Sequence, residues 1–81
     1  MKQMFEFMEK MKHEHDLHLK LFIQRDTFPG TISITFYFGY RGILYDLIYN
    51  FQEKNVSNSV MAEVYTRAED EILQFIKRLR G

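Results

Sequence analysis

Between Thr31 and Tyr40 apolar and polar positions alternate without a break. Ile32, Ile34, Phe36, Phe38 and Tyr40 fall on one side, and Thr31, Ser33, Thr35, Tyr37 and Gly39 on the other. Successive side chains of a strand point to opposite faces, so this pattern predicts a central strand with one face against a core. Two flanking stretches share the period of two. In residues 17–25, Leu17, Leu19, Leu21 and Ile23 alternate with His18, Lys20, Phe22 and Gln24. In residues 43–51, Ile43, Tyr45, Leu47, Tyr49 and Phe51 alternate with Leu44, Asp46, Ile48 and Asn50. The second of these has no proline or glycine to exclude a helix, but its tyrosine, isoleucine and asparagine content favours a strand.

The breaks between the three stretches carry turn chemistry. Asp26-Thr27-Phe28-Pro29-Gly30 holds the chain's one proline. Proline presets the first central angle of a turn and glycine accepts a positive φ at the next, which predicts a type II turn at Pro29-Gly30. Arg41-Gly42 is short enough for a two-residue hairpin loop. If both pairs are the loop residues, Phe28 faces Thr31, Ile23 faces Phe36, Leu21 faces Phe38 and Phe22 faces Tyr37. On the other side Tyr40 faces Ile43, Phe38 faces Tyr45, Phe36 faces Leu47 and Ile34 faces Tyr49. Both loops then put the apolar rows on one sheet face, which a slip of one residue would undo.

Helical periods flank the strands. In residues 2–14, Met4, Phe5, Phe7, Met8 and Met11, with Met1 before them, fall on one arc, and Lys2, Glu6, Glu9 and Lys10 lie mostly opposite. Four methionines so placed suit an adaptable binding surface, although the plainer reading is a stripe packed on the chain's own core. From Asn58 to Arg80, Met61, Tyr65, Ala68, Ile72, Phe75 and Leu79 recur at spacings of three and four, widened by Val60, Val64 and Ile76. Ser57, Asn58 or Ser59 can cap the first turn, and Lys77, Arg78 and Arg80 suit the C-terminal end of the helix dipole. The polar segment 52–57 connects this helix to the third strand. The expectation is an α+β domain of αβββα order over residues 1–81, with a three-stranded antiparallel meander and both helices on the face of Ile34, Phe36 and Leu47.

Composition narrows the function classes. The chain has 81 residues, enough for one small core, with 46% hydrophobic and 16% aromatic residues. Eleven basic and eleven acidic residues leave a formal net charge of zero, which argues against a dedicated nucleic-acid binder and against an acidic mimic of DNA. There is no cysteine, so disulfides, thiolate metal sites and a cysteine nucleophile are excluded. Charges interrupt the apolar residues at the N-terminus, unlike a signal peptide, and no apolar run approaches the roughly 20 residues of a membrane span. The expected location is cytoplasmic.

His13, Glu14, His15, Asp16 and His18 have ligand chemistry for zinc or nickel, but no second ligand group is evident downstream. A solvated joint between helix and strand is the simpler reading, so no metal or other cofactor is expected. The histidines have no nucleophile nearby in the sequence and no glycine loop is built to cradle phosphate, so an enzyme is not expected. The outer sheet face is more informative: Phe22, Tyr37, Leu44 and Ile48 would form an apolar patch, with Lys20 and Arg41 adding charge. Such a patch marks a protein interface with aromatic anchors. Stacking of single-stranded bases is an alternative use of the same face, and a homodimer through a strand edge or the long helix is another.

The order of elements is similar to that of double-stranded-RNA-binding domains. Val60-Met61-Ala62-Glu63 stands where those domains carry a basic cluster, and the turn after the first strand lacks their histidine, so RNA binding is not carried over. In size and element order the chain also resembles small phage-encoded proteins that bind and block host enzymes, including some anti-CRISPR inhibitors. That resemblance implies a non-enzymatic phage or mobile-element inhibitor of a larger protein target, acting in the host cytoplasm.

Overall fold

The computed structural model describes residues 2–25 and 29–80. Helix α1 (Lys2–His15) leads into strands β1 (Leu19–Arg25), β2 (Thr31–Tyr40) and β3 (Ile43–Gln52). A single 3₁₀ turn, Glu53–Asn55, then connects to helix α2 (Asn58–Arg80). The strands form one antiparallel sheet in the order β1-β2-β3, giving the α+β, αβββα architecture that the periodicities predict. No helix among the described residues is long and apolar enough to cross a membrane.

The β2–β3 hairpin closes as its turn chemistry requires. Arg41 and Gly42 both take positive φ, 52° and 81°, the pair of angles that defines a type I′ loop. Tyr40 pairs with Ile43, and the register runs through Phe38↔Tyr45, Phe36↔Leu47 and Ile34↔Tyr49 to Thr31↔Gln52. The first hairpin differs from expectation by two residues. Leu19 pairs with Phe38, Leu21 with Phe36, Phe22 with Thr35 and Ile23 with Ile34. Gly30 does take the positive φ, 84°, expected of it, but the strands stop at Arg25 and Thr31, so more than two residues separate them. The expected Phe28–Thr31 pair lies outside the described residues. Alternation of period two cannot detect a shift of two, because every side chain keeps its face. The face assignment therefore survives while the partners change.

Both helices cover the face of Ile34, Phe36 and Phe38. Phe7 and Met11 of α1, and Val64, Tyr65, Ala68, Ile72 and Ile76 of α2, close the core over them. Phe36 is fully buried and lies edge-on to Phe7, Tyr49 and Tyr65, with ring centroids at 5.7, 5.9 and 6.1 Å. Such pairs contribute about 0.5–1.5 kcal/mol each beyond their area. Phe38 anchors a second group, stacked on Tyr45 at 5.6 Å and edge-on to Phe75 at 6.3 Å.

Several element boundaries and stripe positions depart from expectation: Gln52, expected in the connector, closes β3, and Ile23 and Ile43 of the apolar rows stand 51% and 56% exposed. Helix α1 runs to His15, one residue further, and Asp16 ends it at φ 54° with its N–H on the Lys12 carbonyl at 3.1 Å. Leu17 precedes β1 instead of opening it and buries its side chain. Phe5 is 65% exposed because it lies on the side of α1 away from Phe7 and Met11, and Leu79 is exposed because it sits in the last turn of α2. The Tyr49 hydroxyl does not reach water: it is buried without a hydrogen-bond partner among the described residues. Helix α2 begins as predicted, with Ser57 Oγ accepting the Val60 N–H at 3.2 Å. Its last turn still meets the sheet, where Arg80 Nε donates to the Tyr40 hydroxyl at 2.9 Å.

Candidate functional site: the uncovered sheet face

With both helices on one side, the other side of the sheet is left bare. The registers assemble it row by row. Gln24, Ser33 and Asn50 form one row, Phe22, Thr35 and Ile48 the next, and Lys20, Tyr37 and Asp46 a third; Gly39 and Leu44 follow. The central strand supplies short side chains to this face. Ser33 and Thr35 are buried between taller neighbours, and Gly39 offers no side chain beside Leu44. The outer strands supply the walls: Phe22 is 51% exposed, Ile48 52% and Leu44 70%. The result is a face with exposed apolar side chains on the outer strands and a hydroxyl-lined floor between them. Phe22 and Tyr37, diagonal neighbours in the observed register, touch edge to face with centroids 5.5 Å apart.

Five of the six sequence-predicted residues, Phe22, Tyr37, Leu44, Ile48 and Lys20, lie on this face. Lys20 and Asp46 flank Tyr37 in one row, so the charge beside the patch is balanced. Arg41 stands apart. Its guanidinium lies over the Tyr40 ring at 5.2 Å, and Tyr40 belongs to the helix-covered set of β2. The N–H from Arg80 holds the Tyr40 hydroxyl below the usual tyrosine pKa. Ser33, Thr35 and Gly39 were not singled out from the sequence; the signal for them was their small size at alternate positions of the central strand.

The histidine-rich joint resolves into side-chain contacts with carboxylates. His13 Nε2 contacts Glu9 at 3.0 Å. His15 Nε2 and Lys10 Nζ contact the two carboxylate oxygens of Glu69, each at 3.0 Å. Glu69 is the downstream group that sequence reasoning missed, since it lies 54 residues beyond His15 and meets it only through helix packing. Burial alone would raise the Glu69 pKa, but hydrogen bonds from His15 and Lys10 outweigh it and hold the carboxyl below its ordinary value. Glu14, His15 and Glu69 present ligand atoms within 4.8 Å of one another, the set that could hold a divalent cation. With the Lys10 ammonium already on Glu69, the same groups serve as a clamp between α1 and α2. His18 is exposed and belongs to neither group.

A groove of about 360 Å³ opens between β3 and α2, lined by Phe38, Tyr45, Leu47, Ile72 and Phe75. Glu71, Gln74 and Arg78 stand on its helix rim. Burial, with the nearby Glu71 carboxylate adding to it, pushes the Tyr49 hydroxyl pKa up.

Comparison with protein-family models, with curated proteins and with solved structures finds no match to this chain.

Proposed function

We propose that the chain is a non-enzymatic protein-binding module whose contact surface is the uncovered sheet face. One observation carries the reading: the apolar side chains Phe22 of β1 and Ile48 and Leu44 of β3 stand half or more exposed on either side of the central strand, on the face that neither helix covers. Scattered exposed apolar residues are ordinary, whereas several gathered on one face of a rigid sheet supply the anchors that interfaces use. Tyr37, held edge-on by Phe22 between Lys20 and Asp46, adds an amphipathic anchor with polar neighbours for orientation. In the form expected from size and element order, the partner is a larger host or defence protein and binding is inhibitory, as with phage-encoded blockers.

Affinity capture with the tagged chain tests this. Phe22→Asp places a charge on the β1 side of the outer face without touching the core. It is expected to lose at least tenfold of any specific partner, while Phe5→Asp, at a still more exposed apolar residue on α1, retains it. Capture of the same partner by both variants overturns the surface.

A further inference from the structure

The two edges of the sheet are not equally guarded. Strands at an edge are usually kept from pairing by shortness, proline, bulges or basic side chains. β1 has seven residues and carries Lys20 and Arg25. β3 has ten, Ile43–Gln52, with one charged residue, Asp46, and neither proline nor glycine. Its pairing to β2 is continuous from Tyr40↔Ile43 to Thr31↔Gln52, so no bulge turns it away.

The hairpin also shows which backbone groups are open. Residues flanking a two-residue loop form a hydrogen-bonded pair, and such pairs alternate along the ladder. Tyr40↔Ile43 therefore assigns the odd residues of β3 to β2, and the Glu53 N–H on the Gly30 carbonyl at 2.6 Å continues the same set. The N–H and C=O groups of Leu44, Asp46, Ile48 and Asn50 point to the open edge.

The core is open at this same edge. Tyr45, Leu47, Tyr49 and Phe51 are only partly buried, and the apolar groove between β3 and α2 runs beside them. Its rim carries an acid at one end, Glu71, and a base at the other, Arg78, two helical turns apart. A surface with opposite charges at its two ends complements itself when turned end for end.

We propose that β3 pairs antiparallel with β3 of a second copy of this chain about a two-fold axis normal to the sheet. This interface is independent of the outer-face reading. A register centred on Leu47 sets Asp46 beside Ile48 of the other copy and Leu44 beside Asn50, so all four open backbone positions are used and the two Asp46 carboxylates stay off the axis. The grooves meet across the axis, and Glu71 of each rim turns toward Arg78 of the other. The product is a six-stranded sheet with four helices on one face. On its other face Ile48 of each copy lies next to the axis beside Asp46 of the other, and Leu44 lies beside Asn50.

Sedimentation equilibrium on the full chain tests the proposal. Wild type is expected at twice the chain mass. Asp46→Pro removes an outward N–H that β2 does not use and is expected to give a monomer with unchanged circular dichroism. If that variant unfolds, charge exchange decides. Arg78→Glu converts two cross-axis ion pairs into like-charge contacts and should weaken association about tenfold. Adding Glu71→Arg to it should restore association to within about threefold of wild type. A monomeric wild type overturns the proposal. So does a dimer unaffected by the charge exchange, or one dissolved by Phe22→Asp, which would place the contact on the outer face instead.

Discussion

Asp16 shows how much a single residue can leave unoptimised. It occupies the left-handed region, at φ 54°, where α1 ends. Aspartate tolerates that region better than most residues but still bears a Cβ penalty that glycine lacks. Its charge also sits at the negative end of the helix dipole. Asp16→Gly is therefore expected to stabilise the chain by roughly 0.5–1 kcal/mol, read as a higher midpoint in urea at unchanged slope. Phe36 is the opposite case. It was legible as a core residue from alternation alone, and it is fully buried at the centre of an aromatic cluster. Its ring partners Phe7 and Tyr65 come from opposite ends of the chain, so the cluster itself had no local signal. The buried Tyr49 hydroxyl was unreadable for the same reason: its surroundings are set by α2, not by its strand neighbours.

Between elements, the Lys10–Glu69–His15 clamp joins α1 to α2. Its pH dependence follows from the carboxylate. Glu69 has a folded-state pKa below its ordinary 4.5. The clamp's contribution is therefore complete above that value and is lost as pH falls through the lower, folded pKa. The thermal midpoint of wild type should fall through this acid range, and Glu69→Gln should lower the midpoint at neutral pH while flattening its fall in acid. Equal acid slopes in the two proteins would remove Glu69 from the account. The extent of α2, expected from about Asn58 to Arg80, was readable from its apolar stripe, while the structure selects Ser57 from three candidate caps. The β1–β2 register was not, because a shift of two costs the alternation nothing.

For the molecule as a whole, charge separates the readings of the bare face. Formal charge is zero overall, and the face itself opposes Lys20 to Asp46 across Tyr37. Binding to nucleic acid draws chiefly on phosphate neutralisation and weakens steeply with salt. A mobility-shift titration with single-stranded and duplex probes is expected to show no complex at 150 mM salt, a condition of roughly physiological screening. A saturable complex there, weakening with added salt, would move the outer face to the nucleic-acid reading. Binding of a protein partner through Phe22 and Ile48 should instead vary little with salt, because its anchors are apolar.

By itself the sequence determined the elements, their order and the two faces of the sheet, because alternation, helical spacing and turn residues are local properties that survive small errors in pairing. It also determined the β2–β3 register, since the Arg41-Gly42 loop leaves one antiparallel alignment. Only the tertiary structure decided which residues of α1 and α2 meet, that Glu69 reaches His15 and Lys10, and that β3 keeps an open edge beside an apolar groove. Those features arise where segments far apart in the chain come together, and no periodicity within a segment encodes which distant neighbour it meets.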